Sequence, residues 1–173
     1  MGRVDVRPHS TYGRDVPNTI AELVEPFAFL LGDWDGEGVG LWEAEPRFRY
    51  RERLSIRAVP ERALLRLSQS TVVAGSGALS HVEESFLRLF PEALVELVVA
   101  IPAGYTEIHA GRLVGPRLEL SQLALGVAPR ARPVNLVERR LEMVDGSLHH
   151  QVAIAVGPGP AAPHVASILT RSA

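Results

Sequence analysis

Six histidines are the side chains here best able to bind a metal or move a proton near neutral pH, and the chain contains neither cysteine nor lysine. The missing cysteine excludes disulfides, zinc–thiolate sites, iron–sulfur clusters, thiolate haem ligation and cysteine nucleophiles. All 18 basic residues are arginine, which excludes a Walker A phosphate loop, a Schiff-base enzyme and a Ser–Lys catalyst. The strings G-x-S-x-G, H-E-x-x-H and G-x-G-x-x-G and the EF-hand loop are also missing. What remains is the chemistry of imidazole, carboxylate and guanidinium groups.

The histidines differ in setting. His9 lies in a polar N-terminal stretch and is expected to face solvent. His81 and His109 fall on separate predicted strands, as surface or hydrogen-bonded residues. His149 and His150 are adjacent in a predicted strand, point to opposite faces, and cannot share one metal. His164 sits in Ala161-Ala162-Pro163-His164-Val165-Ala166-Ser167-Ile168-Leu169, after the turn-forming Gly157-Pro158-Gly159-Pro160. Pro163 suits the first turn of a short helix, and the apolar neighbours would bury the imidazole at the mouth of a barrel. Arg47, Arg49, Arg51 and Arg53 alternate with Phe48, Tyr50, Glu52 and Leu54, a period of two that predicts a solvated outer strand face.

The elements that must position these residues are mostly strands. Ile20, Leu23, Val24, Phe27, Leu30 and Leu31 have helical spacing, with Asn18 or Thr19 as cap and Gly32 as terminator. Pro26 splits that run into two short pieces. Strand-like runs then cover residues 63–73, 79–90, 94–101, 105–113, 118–125, 134–144 and 148–156, and Asp145-Gly146 is the strongest hairpin signal. Short strands at roughly 12-residue spacing, with no crossover helix, predict one antiparallel barrel or sandwich of about eight to ten strands. Leu94 to Ile101 is apolar on both faces, which predicts a barrel interior lined by aliphatic side chains or a strand buried from both sides.

The organisation expected is a flexible arm over 1–17 and a single barrel domain over 18–173. Net charge is −2, so nucleic acid is not an expected partner. No stretch suits a membrane span, because Val152 to Leu169 is broken by Pro158, Pro160 and Pro163. Met1 to Pro17 lacks the apolar run of a signal peptide, so a cytoplasmic protein is expected.

Gly32, Trp34, Gly36 and Gly38 form G-x-W-x-G-x-G within Phe29 to Gly38. The reading is structural: Trp34 plugs one barrel end, and Gly36 and Gly38 let the first strand bend sharply. The string resembles the signature of the nitrobindins, a family of lipocalin-like haem-binding barrels shaped like fatty-acid-binding proteins. His81-Val82-Glu83, Gly104-Tyr105-Thr106-Glu107-Ile108, Glu138-Arg139, Val144-Asp145-Gly146 and Pro163-His164 extend the likeness from about Pro26 to Leu169. It implies an all-β barrel of about ten strands with a short N-terminal helix and a short C-terminal helical segment. It further implies ferric haem b with His164 as axial ligand, binding of nitric oxide and isomerisation of peroxynitrite to nitrate, with a homodimer compatible. Where the family reads Tyr-Pro-Thr after Gly40, this chain has Leu41 and then Trp42-Glu43-Ala44, exchanging a pocket hydroxyl for a larger aromatic. Arg130 and Arg132 stand near the place of a family lysine, and arginine pairs with a propionate at least as well. The alternative is the same barrel carrying a fatty acid or other small apolar ligand without haem.

Overall fold

The computed structural model describes residues 19–40 and 48–172. The readings placed on 1–17, His9, Asn18, Leu41, Trp42-Glu43-Ala44 and Arg47 lie outside the described residues.

Thr19 opens the chain's helical segment with a reciprocal cap. Its hydroxyl accepts from the Glu22 N–H at 3.2 Å, and its own N–H donates to the Glu22 carboxylate at 2.7 Å. Helix α1 (Ile20–Val24) passes directly into a 3₁₀ helix (Glu25–Leu30) with Pro26 in its first turn, so the segment is two pieces. Ten antiparallel strands follow: β1 (Gly32–Gly40), β2 (Phe48–Ala58), β3 (Leu64–Val73), β4 (Leu79–Leu89), β5 (Leu94–Ile101), β6 (Tyr105–Val114), β7 (Arg117–Val127), β8 (Leu136–Val144), β9 (Ser147–Ala155) and β10 (Ala162–Arg171). Each pairs with its sequence neighbours, and β1 pairs with β10 to close the barrel. β7 and β8 pair only over Arg117–Glu119 and Arg140–Glu142, so the barrel is least tightly joined between these two strands. Asp145 and Gly146 both have positive φ (48° and 81°) and join Val144 to Ser147 in the two-residue hairpin their sequence predicts.

The last strand corrects one expectation. Residues 162–171 are extended and paired with both β1 and β9, so there is no C-terminal helical segment. Continuous pairing on two sides outweighs the helix-start signal of Pro163, which sits where a strand tolerates a missing N–H: near its beginning and at a bulge.

Inward positions change character along the barrel axis. At the end covered by the helices, Phe27, Leu30, Trp34, Ile56, Leu65, Leu87, Leu118, Leu148 and Leu169 are almost wholly buried in one apolar cluster. The glycine–tryptophan string builds this end. Trp34 is 1% exposed, donates from Nε1 to the Leu30 carbonyl at 2.8 Å, and carries the Arg171 guanidinium 4.4 Å from its ring. Arg171 also donates to the Phe29 and Leu31 carbonyls, tying the helix end to the last strand. Gly32, at φ +138°, makes the turn into β1, and a Cβ there would strike that guanidinium.

Gly36 and Gly38 serve a different purpose from the sharp bend expected. Neither has a positive φ. A Cβ on Gly36 would collide with the Ile168 carbonyl of β10, and one on Gly38 with the Tyr50 ring. The glycines clear space for a close neighbouring strand and for an aromatic ring inside the barrel.

Candidate functional site

The end of the barrel opposite the helices holds a half-open cavity of about 450 Å³, within the usual range for small-molecule sites. It is built by strand alternation. Following β2 from the open end inward, the interior side chains are Phe48, Tyr50 and Glu52, and then Leu54 and Ile56 of the apolar core. Other strands repeat the sequence: Val137, Arg139 and Leu141 on β8, and Ile154, Val152, His150 and Leu148 on β9. The barrel is therefore layered into an open chamber, a charged middle and an apolar base.

His164 lines this chamber. On β9, Ala153 faces Pro163 and Val152 faces Val165, so His164 is the extra residue of a β-bulge. Strict alternation would send His164 and Val165 to opposite faces. The bulge lets both line the same cavity, the re-aiming that bulges provide near sites. Aliphatic side chains such as Ile101, Val134, Val137 and Ile154 form the surrounding wall, with Phe48, Tyr50 and Tyr105. Arg130 and Arg132, from the β7–β8 connection, also line it, and Tyr105 donates to the Arg132 carbonyl at 2.9 Å.

The charged middle layer is the part the sequence reading missed. The Arg139 guanidinium lies between two buried carboxylates. It donates to Glu107 at 2.6 and 3.0 Å and to Glu83 at 2.9 and 3.1 Å. Glu107 also contacts His109 Nε2 at 2.8 Å, and Glu83 contacts His81 Nε2 at 3.2 Å. Beside them Glu52 accepts from Ser167 at 2.7 Å and Gln69 at 2.9 Å, and meets His150 Nδ1 at 2.8 Å.

Burial, the largest single influence on Glu83, favours its neutral form. The Arg139 charge and the hydrogen bonds from His81 and Arg139 together outweigh it, and the carboxyl is held below the ordinary range. Glu107 is lowered in the same way, against its burial, by hydrogen bonds from His109 and Arg139 and by the Arg139 charge. Glu52 is lowered against burial chiefly by His150, and His150 is raised against burial chiefly by Glu52. Burial raises the Tyr50 hydroxyl, with Glu52 adding to the effect, so it stays a neutral phenol. The layer is a set of ionised groups that satisfy one another.

This corrects the expectation of an interior lined by aliphatic side chains. The chamber wall is largely apolar, but its floor presents Glu83, Glu107, Arg139 and His150. A period-two signal was available, because Glu107 and His109 share a face with Tyr105, and Glu83 shares one with His81. The fully buried His109, with no hydrogen-bond partner at Nδ1, is far from the surface position that was one of its options. His149 and His150 do point apart, His150 inward and His149 on the other face. Arg49, Arg51 and Arg53 are exposed on the outer face of β2, as alternation predicts. No cluster of three potential metal-binding side chains occurs among the described residues.

The donor set suits a planar macrocycle with an acidic edge better than a bare metal ion. The chamber offers the His164 imidazole, brought in by a bulge, within a largely apolar wall that also carries Arg130 and Arg132. Comparisons with known proteins agree. A Rhodococcus jostii protein named peroxynitrite isomerase 1 is 36% identical over 156 residues, covering 90% of this chain and 84% of the relative. An Arabidopsis thaliana protein also named as a peroxynitrite isomerase is 30% identical, covering 86% of this chain and 89% of that protein. The crystal structure of Rv2717c from Mycobacterium tuberculosis superposes with a TM-score of 0.78 at 28% identity, over 87% of this chain and 98% of the other. Residues 23–171 match the model of the THAP4-like, heme-binding beta-barrel domain; with its closed ten-strand meander, the chain belongs to that family.

Proposed function

We propose that this barrel holds a b-type haem through His164, binds nitric oxide and isomerises peroxynitrite to nitrate. The observation that carries the reading is the bulge on β10, which turns His164 into a cavity with a largely apolar wall, open at one end. When bound, ferric haem would supply an electrophilic iron able to bind a small ligand.

The chain's own residues supply the rest. A neutral His164 nitrogen is the donor. Arg130 and Arg132 are suited to pair with propionates, adding charge-assisted hydrogen bonds to burial of the macrocycle. The aliphatic wall keeps bulk water away. Beneath it, Glu83 and Glu107 stay deprotonated because Arg139 satisfies both, so the floor offers no carboxylic acid proton. The alternative, a carrier for a long apolar chain, is disfavoured by that floor. An alkyl tail reaching the inner chamber would be set against ionised groups.

The test is titration with hemin of wild type and His164→Ala, read in the Soret band, followed by stopped-flow decay of peroxynitrite with the loaded proteins. A Soret band and affinity lost on substitution, with faster decay only in wild type, support the reading. Identical spectra and affinities remove His164 as ligand. Failure of wild type to bind hemin removes the haem reading.

A further inference from the structure

The seam between β7 and β8 is only partly closed by backbone. The ladder stops at the rung of Glu119 and Arg140, and residues 120–127 and 136–139 continue as strand with no rung across the seam. β7 follows β6 instead. It pairs with β6 along its whole length, and Gly111 lets it lie so close that a Cβ there would collide with the Glu119 carbonyl. The bulge at Leu123 then bends it. One side chain stands in for the missing rungs. The Gln122 carboxamide accepts from the Val137 N–H at 2.7 Å and reaches the Asn135 carbonyl at 3.5 Å. Between the last rung and that bridge lies a window, framed by Leu120 and Ser121 on β7 and by Glu138 and Arg139 on β8.

The residues around the window belong to both faces of the wall. Leu120 points inward, in alternation with Leu118, and packs on the apolar core. Its inward neighbours Leu118, His109 and Leu141 are 1%, 0% and 6% exposed. Leu120 is nonetheless half-buried, and it lines an outer cavity of about 850 Å³ rather than the chamber. Its exposure therefore comes through the seam and not through the mouth. Arg139, Val152 and Val165 line both cavities. His109, opposite Gln122 in register, is buried with no partner at Nδ1, and a water entering at this level would satisfy it.

We propose that the window is a side entrance through which small uncharged molecules, such as water and nitric oxide, reach the inner chamber while the mouth is filled. The inference rests on the haem reading for what fills the mouth. Width sets the size of what passes: a single carboxamide spans the seam, whereas an inserted peptide strand needs about 4.8 Å on each side of it. The lining sets the charge. Leu118 and Leu120 are apolar, and Arg117 and Arg140 on the outer rim are paired with Glu119 and Glu142. Arg139 at the inner edge already holds two carboxylates, so an anion gains a counter-charge there only by displacing one of them.

Because the chain has no cysteine, single cysteines report on the route. The probe is methyl methanethiosulfonate, a small uncharged thiol reagent. Leu120→Cys should react at least about tenfold faster than Leu97→Cys, which is inward on β5 opposite His109 and only 3% exposed. Bound hemin should leave the Leu120→Cys rate unchanged. Val137→Cys, in the chamber wall, should still react in hemin-loaded protein. Adding Leu120→Trp should slow that reaction by about tenfold or more, yet leave it unchanged in hemin-free protein, where the mouth is open. Leu120→Phe is a smaller plug, and unchanged thermal unfolding and hemin affinity check the folding of both. Nitric oxide should also associate more slowly with loaded Leu120→Trp than with loaded wild type. Equal reactivity of Leu120→Cys and Leu97→Cys overturns the window. Protection of Val137→Cys by hemin alone, or its indifference to both plugs, overturns the entrance. Wild type that fails to bind hemin overturns the haem reading instead, and the comparison of Leu120→Cys with Leu97→Cys still decides whether the seam is open.

Discussion

Replacing Arg139 by methionine removes the one cation that lies between two buried carboxylates while keeping much of the side-chain volume. Arg139, Glu83 and Glu107 have side chains only 6%, 9% and 2% exposed, so the guanidinium rather than bulk water satisfies both carboxylates. Four hydrogen bonds go with it. Breaking one side of a buried ion pair costs about 3–5 kcal/mol, and here two carboxylates are stranded at once, so the upper end of that range is expected near pH 7. The pH dependence gives a second signature. In wild type the lowered carboxyl pKa values stabilise the fold above the ordinary carboxylate range, and that contribution is lost as pH falls through the folded values. In Arg139→Met the stranded, desolvated carboxyls rise above their ordinary value of 4.5, and the folded state takes up protons first. The deficit relative to wild type should therefore shrink as pH falls from about 7 towards about 4. Urea unfolding followed by tryptophan fluorescence reads both effects. A further variant, with Glu83 and Glu107 also replaced by leucine, should regain most of the loss, since an apolar triad needs no counter-charge. A deficit below about 1 kcal/mol, or one constant across that pH range, refutes the reasoning.

Three other outcomes follow from the same geometry. Trp34→Ala should cost about 3–5 kcal/mol in chemical unfolding by emptying the closed end, and Trp34→Phe about 1 kcal/mol for the lost N–H bond to Leu30. Gly38→Val places its side chain in the Tyr50 ring, so it should cost about 1–3 kcal/mol and weaken hemin binding by displacing Tyr50 into the chamber. His150, raised by Glu52, stabilises the fold fully below its ordinary pKa of 6.5, and this contribution is lost as pH rises through the higher folded value. His150→Gln should flatten the decline of the urea midpoint above about pH 6.5, and an unchanged slope would count against a charged pair.

Strand order and number were legible because the deciding signals are local. Turn residues such as Asp145-Gly146 bound runs with a period of two, and an up-and-down meander needs nothing further to set its order. The conformation of the last segment was not legible. Pro163 followed by apolar residues carries a helix-start signal, and only pairing with β9 on one side and with β1, from the other end of the chain, on the other makes it a strand. The bulge at His164 is a matter of register between β9 and β10 and leaves no mark in either strand alone. The charged layer was half legible. Glu83 and Glu107 stand at positions that alternation turns inward, yet each gains its meaning from Arg139, which lies 56 and 32 residues away in sequence. Leu94 to Ile101 reads as apolar on both faces because Val95, Leu97 and Val99 fill the core while Leu94 and Val98 stand partly exposed outside.

The layering bears on how one small barrel can keep an open end. A chamber cannot be packed, and the ionised floor beneath it adds little net stability, because the cost of dehydrating its charges offsets their attraction. Burial of apolar surface must then come from the remaining third of the axis, where Trp34, Phe27 and Leu30 cap the barrel against Ile56, Leu87 and Leu148. The same division protects the open end. A liquid-like apolar filling would let aliphatic side chains relax inward and close the chamber, whereas Arg139 is fixed by four hydrogen bonds and holds β4, β6 and β8 at set distances. Glu52 does the same for β2, β3, β9 and β10 through Gln69, His150 and Ser167. Between them the two carboxylate centres touch seven of the ten strands just below the chamber, which makes the charged layer a rigid floor for the strands that carry His164 and the facing wall.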